Sequence, residues 1–219
     1  MVVLHRAVQA EDKAARRAAI LAAAEILIER DPENFASVAE VAEVAGLAKG
    51  TVYLYFRTKE EMILAVHAGH SERLFETLAN TLAAHAADLK PEHVADAFCA
   101  FVTAHPIFLH VGAACHSSFQ RNIDPQAMLE FRTAIAARLS HFGPLLEARF
   151  PTLKAGDGVA LLQATYAHAL GMWQLCDPTQ RAARGIGERP ELEVFNRDFR
   201  ADLYKGLLAL WRGYLGQGG

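Results

Sequence analysis

Three cysteines in 219 residues, Cys99, Cys115 and Cys176, are too few and too irregularly spaced for a disulfide framework or a cysteine-ligated metal module. They read as reduced thiols of a cytoplasmic protein. A redox switch between Cys99 and Cys115 stays open beside the plainer reading of small core residues. No apolar run reaches the roughly 18 residues that a membrane span requires, and no secretory leader is visible. An excess of one charge is also missing. Lys and Arg total 22 against 25 Asp and Glu, a net of -3, which excludes a uniformly basic coat for nucleic acid. β-branched residues are sparse, and there is no strand pattern or internal repeat. No nucleophile–base–orienter set or phosphate loop stands out. What the chain has instead is abundant alanine and 52% hydrophobic residues, enough for a substantial helical core.

The densest chemistry lies in residues 37–59, SVAEVAEVAGLAKGTVYLYFRTK. Val38, Val41, Ala42, Val44 and Ala45 make an apolar stripe at helical spacing. Ser37 stands where its hydroxyl caps that helix, and Glu40 completes a capping box. Gly46 ends the helix, because the turn needs positive φ, and Leu47 packs beneath it. A second short helix is expected over 49–56. Two short helices across a tight turn form a helix-turn-helix. Val52 and Phe56, one turn apart, face inward, leaving Lys49, Thr51, Tyr53 and Tyr55 for the other surface. A lysine at a helix start reaches a phosphate or a guanine edge. Gly50 lets the backbone approach DNA. The three hydroxyls can donate to phosphates, and the Tyr53 ring can lie on a thymine methyl. Lys59 is placed to pair with a phosphate. With Ser37, these are the candidate DNA-binding residues. The first sixty residues are not basic overall, so position must do what net charge does not.

The run AG-L-A-KGTVYLYF-RTKEEM resembles the DNA-binding segment of the TetR family of transcriptional repressors. Gly50-Thr51, Tyr53, Tyr55-Phe56 and then Lys59-Glu60 carry the likeness, which covers about the first third of the chain. It implies an all-α protein: a three-helix head, then a longer helical body that binds a small ligand and forms a homodimer. Two departures stand out. Ala48 sits where the family usually has Ser or Thr, so capping falls to water or a phosphate oxygen at a cost of about 1 kcal/mol. Leu54 replaces a frequently polar residue; inward packing and contact with a thymine methyl both stay open.

Periodicity along the whole chain gives about nine helices. The first is expected over 11–29, with Ile20, Leu21, Ala24, Leu27 and Ile28 inward, after an arm carrying His5 and Arg6. Asp31-Pro32 breaks it and Phe35 plugs the head. The fourth, over 59–87, joins head to body, and the resemblance implies that it transmits ligand binding. Others are expected from Pro91 to Pro106, and over 107–118, 125–149 with a bend at Gly143-Pro144, 158–175 and 191–215, with a loop over 179–190. The DNA-binding head is assigned to residues 1–58 and the ligand-binding and dimerisation body to 59–219.

Aromatics on the middle helices with a few polar groups suit a buried hydrophobic ligand, or an ordinary core. Phe98, Phe101, His105, Phe108, Phe119, Phe131, Gln163 and Tyr166 are the candidates. The resemblance implies that the last two long helices pair with a second copy, through Ala160, Ala164, Ala167, Gly171, Phe199, Leu203 and Trp211. No metal or cofactor is expected; His67 and His70 are two ligands without a third. The reading is a repressor that binds a palindromic double-stranded DNA operator as a homodimer and is released by a small hydrophobic effector. The alternatives are an effector-independent activator or nucleoid-associated protein and, more remotely, an enzyme with a site near His105, Cys115 and His116.

Overall fold

The structure is a computed structural model that describes residues 2–32, 34–117, 119, 121–176 and 189–216, with residues 2–11 in backbone only. Within these the chain is all-helical, without a strand. The expected loop over 179–190 falls largely outside the described residues, as do the side chains of His5 and Arg6. No single described helix is long and apolar enough to cross a membrane.

Helix α1 is Val2–Arg30, so it begins well before the expected start and takes in most of the supposed arm. Residues 2–10 hold no Pro or Gly, and extending an existing helix is far easier than starting one. Helix α2, Val38–Val44, begins on Ser37 with the capping box in place. The Ser37 hydroxyl accepts from the Glu40 N–H at 3.3 Å, and the Ser37 N–H donates to Glu40 Oε2 at 2.8 Å. Gly46 takes φ 66°. The Leu47 N–H then donates to the Ala42 carbonyl at 2.8 Å and that of Gly46 to Glu43 at 3.1 Å, a Schellman closure. Helix α3, Lys49–Tyr53, is shorter than expected and carries on as turns towards Phe56. Helix α4, Lys59–Ala84, is capped by the Thr58 hydroxyl, which accepts from the Glu61 N–H at 3.1 Å.

The body adds α5 (Pro91–Ala104), α6 (Ile107–His116), α7 (Pro125–Arg149) and α8 (Asp157–Cys176). The expected ninth helix divides. Pro190–Phe195 is a 3-10 helix, and α9 is Phe199–Tyr214. The break has two causes. The Asp198 carboxylate accepts from the Ala201 N–H at 3.0 Å and caps α9, and the preceding Val194 and Phe195 are exposed, with no packing to draw them into the helix.

The head does not close on itself. Ile20, Ile28, Val41, Val52, Phe56, Met62, Ile63 and Val66 share one core with Ile107, Val111 and Cys115 of α6. Helix α4 enters that core with its first turns and leaves it for the body. Among the proposed dimer residues, Leu203 and Trp211 are corrected here. Both are fully buried within one chain, Trp211 donating its indole N–H to Thr165 Oγ1 at 3.0 Å, so neither has surface left for a partner.

Candidate DNA-reading face and body cavity

The helix-turn-helix separates its residues by role. Val52 is fully buried and Phe56 nearly so. Tyr53 is 45% and Leu54 80% exposed, which resolves Leu54 as outward. Lys49 is exposed, with its Nζ 6.0 Å from the centre of the Tyr53 ring. A Cβ built on Gly50 would meet nothing within 4 Å, so packing inside the chain gives no reason for glycine there. Thr51 is half-buried. Tyr55, expected on the outer surface, is half-buried and packs on the head core. The exposed Ser37 keeps its hydroxyl proton for an outside acceptor while its lone pair is used in the cap. Lys59 lies with its Nζ 6.0 Å over the Phe119 ring. Ala48 makes no side-chain cap to α3, so the first N–H groups of that helix lack the usual hydroxyl partner.

The body contains a cavity of about 380 Å³ between α4, α5, α6, α7, α8 and α9. Five of the sequence candidates line it: Phe98, Phe108, Phe131, Gln163 and Tyr166. Three do not. Phe101 is packed in the core with its ring 4.5 Å from that of His105, and Phe119 sits against Phe35 at 4.9 Å in the joint between head and body. The cavity wall also holds residues that the periodicity did not single out, chiefly His67, Ser71, His116 and Arg132. Ile63, His67, Ser71, Leu74 and Leu78 recur at helical steps on α4, the spacing that would have found His67 and Ser71.

His67 is 2% exposed, and burial, followed by the neighbouring His116 and His70, pushes its pKa down to about 3. It is neutral at physiological pH. Its Nε2 is 3.3 Å from the Tyr166 hydroxyl, whose pKa burial raises, while its Nδ1 has no hydrogen-bond partner among the described residues. Burial, and then Arg132 close by, also lower His116. Behind this group lies Gly112, where a Cβ would stand 2.5 Å from Tyr166 Oη and 3.0 Å from His67 Cε1, so the α6 backbone reaches the pair only as glycine. Burial pushes the Cys115 thiol up to about 12 and that of Cys99 up to about 11, so neither is poised as a nucleophile or a ready redox partner. No group of three or more metal-ligating side chains occurs among the described residues.

Head and body also meet through polar and aromatic contacts. Glu25 of α1 accepts from Arg73 of α4, and His70 Nε2 lies 3.2 Å from the same oxygen. His70, and then Arg73, hold the Glu25 carboxyl below its ordinary range against the opposing effect of burial. Phe35 stacks on His110 of α6 at 4.9 Å, and His110 meets Trp173 of α8 edge-on at 5.4 Å. On α8, Ala167 is exposed, Ala160, Ala164 and Gly171 are half-buried, and a Cβ on Gly171 would touch nothing; Phe199 is half-buried on α9.

A helix-turn-helix head sharing its core with a cavity-bearing helical body is the build of a one-component transcriptional regulator. Comparison with family models narrows the class. Residues 20–66 match the model described as bacterial regulatory proteins, tetR family, and residues 68–218 match that of the tetracyclin repressor-like C-terminal domain. The chain belongs to the TetR family of transcriptional regulators. It is similar in fold to a TetR-family transcriptional regulator from Mesorhizobium loti, at 18% identity and TM-score 0.57, over 93% of this chain and 96% of that one. It also resembles the fatty acid degradation regulator FadR from Bacillus halodurans, at 16% identity and TM-score 0.55, over 89% and 94% of the two chains. A comparison with curated proteins returned no match.

Proposed function

We propose that the protein is a repressor that binds a palindromic DNA operator as a homodimer in the cytoplasm and is released when a small hydrophobic effector enters the body cavity. Residues 1–58 act as the reader and 59–219 as the sensor and dimerisation unit. One observation carries the DNA-binding reading: Lys49, Gly50 and Tyr53 form an outward face that packing inside the chain does not require, on a helix whose other side is fully buried. Lys49 and Tyr53 meet base edges. Ser37, Thr51 and Lys59 bear on phosphates, and the hydroxyl of Tyr55 does so while its ring packs on the head core. One such short helix touches few bases. Two heads about 34–36 Å apart read successive major grooves, which is what a homodimer supplies. The outward small residues Ala160, Ala164, Ala167 and Gly171, with Phe199, form the dimer seam.

Release follows from two helices that serve both regions. Helix α4 contributes Met62, Ile63 and Val66 to the head core and His67, Ser71 and Leu74 to the cavity. Helix α6 contributes Ile107, Val111 and Cys115 to the head core and Phe108 and His116 to the cavity. A ligand that fits one arrangement of these helices better than another shifts the heads by its difference in affinity, and by no more. The buried thiol of Cys115 argues against the enzyme reading. Operator selection from random duplexes should return a palindrome, and an effector should release it. Tyr53→Ala should weaken operator binding by about tenfold or more with the dimer still folded. Unchanged binding would remove Tyr53 from the interface.

A further inference from the structure

The cavity wall carries a few polar groups, and its one permanent charge is positive, that of Arg132. Among the described residues, no Asp or Glu lines the cavity. The hydroxyls of Ser71, Thr77 and Thr165 each donate to a carbonyl of their own helix, so they are spent as donors. Of the other polar groups, His67, His116 and Tyr166 gather where α4, α6 and α8 converge, while Gln163 of α8 and Arg132 of α7 also line the cavity. The ring centres of His67, His116 and Tyr166 stand 6.0 to 6.3 Å apart in a triangle, and Arg132 lines the same cavity, near enough for its charge to lower the His116 pKa. No carboxylate pairs with Arg132 among the described residues; the same holds for other arginines such as Arg30 and Arg121, but Arg132 is the arginine that lines the cavity. Most of the remaining wall is hydrocarbon, including Phe75, Leu78, Val94 and Leu139.

From this arrangement we infer that the effector is an amphipathic carboxylic acid, its single carboxylate on Arg132 with His116 and Tyr166 beside it, and its apolar tail along α5, α7 and α8. Three features carry the assignment. An unpaired guanidinium in a wall without acids is complementary to one negative charge. Its fork matches a planar carboxylate in two parallel hydrogen bonds. The volume, near the lower end of the roughly 300–1,000 Å³ of small-molecule sites, suits a slim tail with one head group. The inference rests on the effector reading above, since it names what that cavity takes.

Titration calorimetry of the purified full chain with decanoate, 1-decanol and methyl decanoate tests it. Decanoate should bind about tenfold or more tightly than the alcohol and the ester. Arg132→Gln, an exposed change that threatens no packing, should erase that preference while leaving the alcohol's affinity unaltered. Ala136→Trp, which fills the cavity from an exposed position on its wall, should abolish binding of all three. Equal or tighter binding of the alcohol, an acid preference that survives Arg132→Gln, or binding that survives Ala136→Trp overturns the assignment. Failure of all three compounds to bind overturns it too. In each case the effector reading still stands or falls separately, on whether any small molecule releases the selected operator.

Discussion

The reading face lies just ahead of α4 and the body cavity along its middle, and the two are built on opposite rules. On the face, packing and function use different residues. Val52 is fully buried, whereas its neighbours Tyr53 and Leu54 are 45% and 80% exposed. In the cavity the same residues do both jobs: Phe108 and Trp211 are fully buried parts of the core and also line the cavity. The difference teaches where substitutions separate stability from function. Changes on the face should alter binding and spare the fold. Changes at His67 or Tyr166 in the cavity should alter both, because these groups also hold α4, α6 and α8 together, whereas the exposed Arg132 can be changed without loss of packing.

The largest test of that contrast is acid. His67 is neutral in the folded chain, with a pKa near 3 against an ordinary value of 6.5. Below pH 6.5 the unfolded chain takes up a proton that the folded one refuses, so stability falls as pH drops from 6.5 towards 3. The loss is at most about 1.4 kcal/mol per pH unit, a few kcal/mol across the window. His67→Gln should lose less stability between pH 7 and pH 4 than the parent when both are unfolded in urea. Equal pH dependence would mean that His67 does not set it. Next in size, Gly112→Ala should destabilise by about 1–3 kcal/mol, since its methyl meets Tyr166 Oη. Adding Tyr166→Phe should recover much of that loss, and a melting series that shows no recovery would place the clash elsewhere. The smallest effect belongs to the head. Ala48→Ser supplies the missing cap of α3 and should stabilise by about 1 kcal/mol at most, with the cavity's ligand affinity unmoved. A changed ligand affinity would show that the two regions are not as separable as their packing implies.

The features legible in advance are local ones. The Ser37–Glu40 box, the turn at Gly46 and the inward pair Val52 and Phe56 each depend on residues within a turn or two, and all are in place. Local reasoning failed where a distant partner decides. Tyr55 looked outward by spacing but packs on the head core. The continuous helix expected over 191–215 is interrupted, because a cap at Asp198 prevails where Val194 and Phe195 have nothing to pack on. Phe101, His105 and Phe119 had the right composition for a pocket and lie outside its wall, while Arg132 gave no signal at all, because its meaning comes from the lack of an acid across the cavity.

Sequence alone determined that the chain is helical and where a DNA-reading turn lies, because helix periodicity, caps and turn glycines act between residues a few positions apart. Only the tertiary structure decided that α6 completes the head, that Leu203 and Trp211 belong to one chain's core, and that His67, His116, Tyr166 and Arg132 line one cavity. These groups come from four helices, and the order of residues in a chain does not say which faces of separate helices will meet.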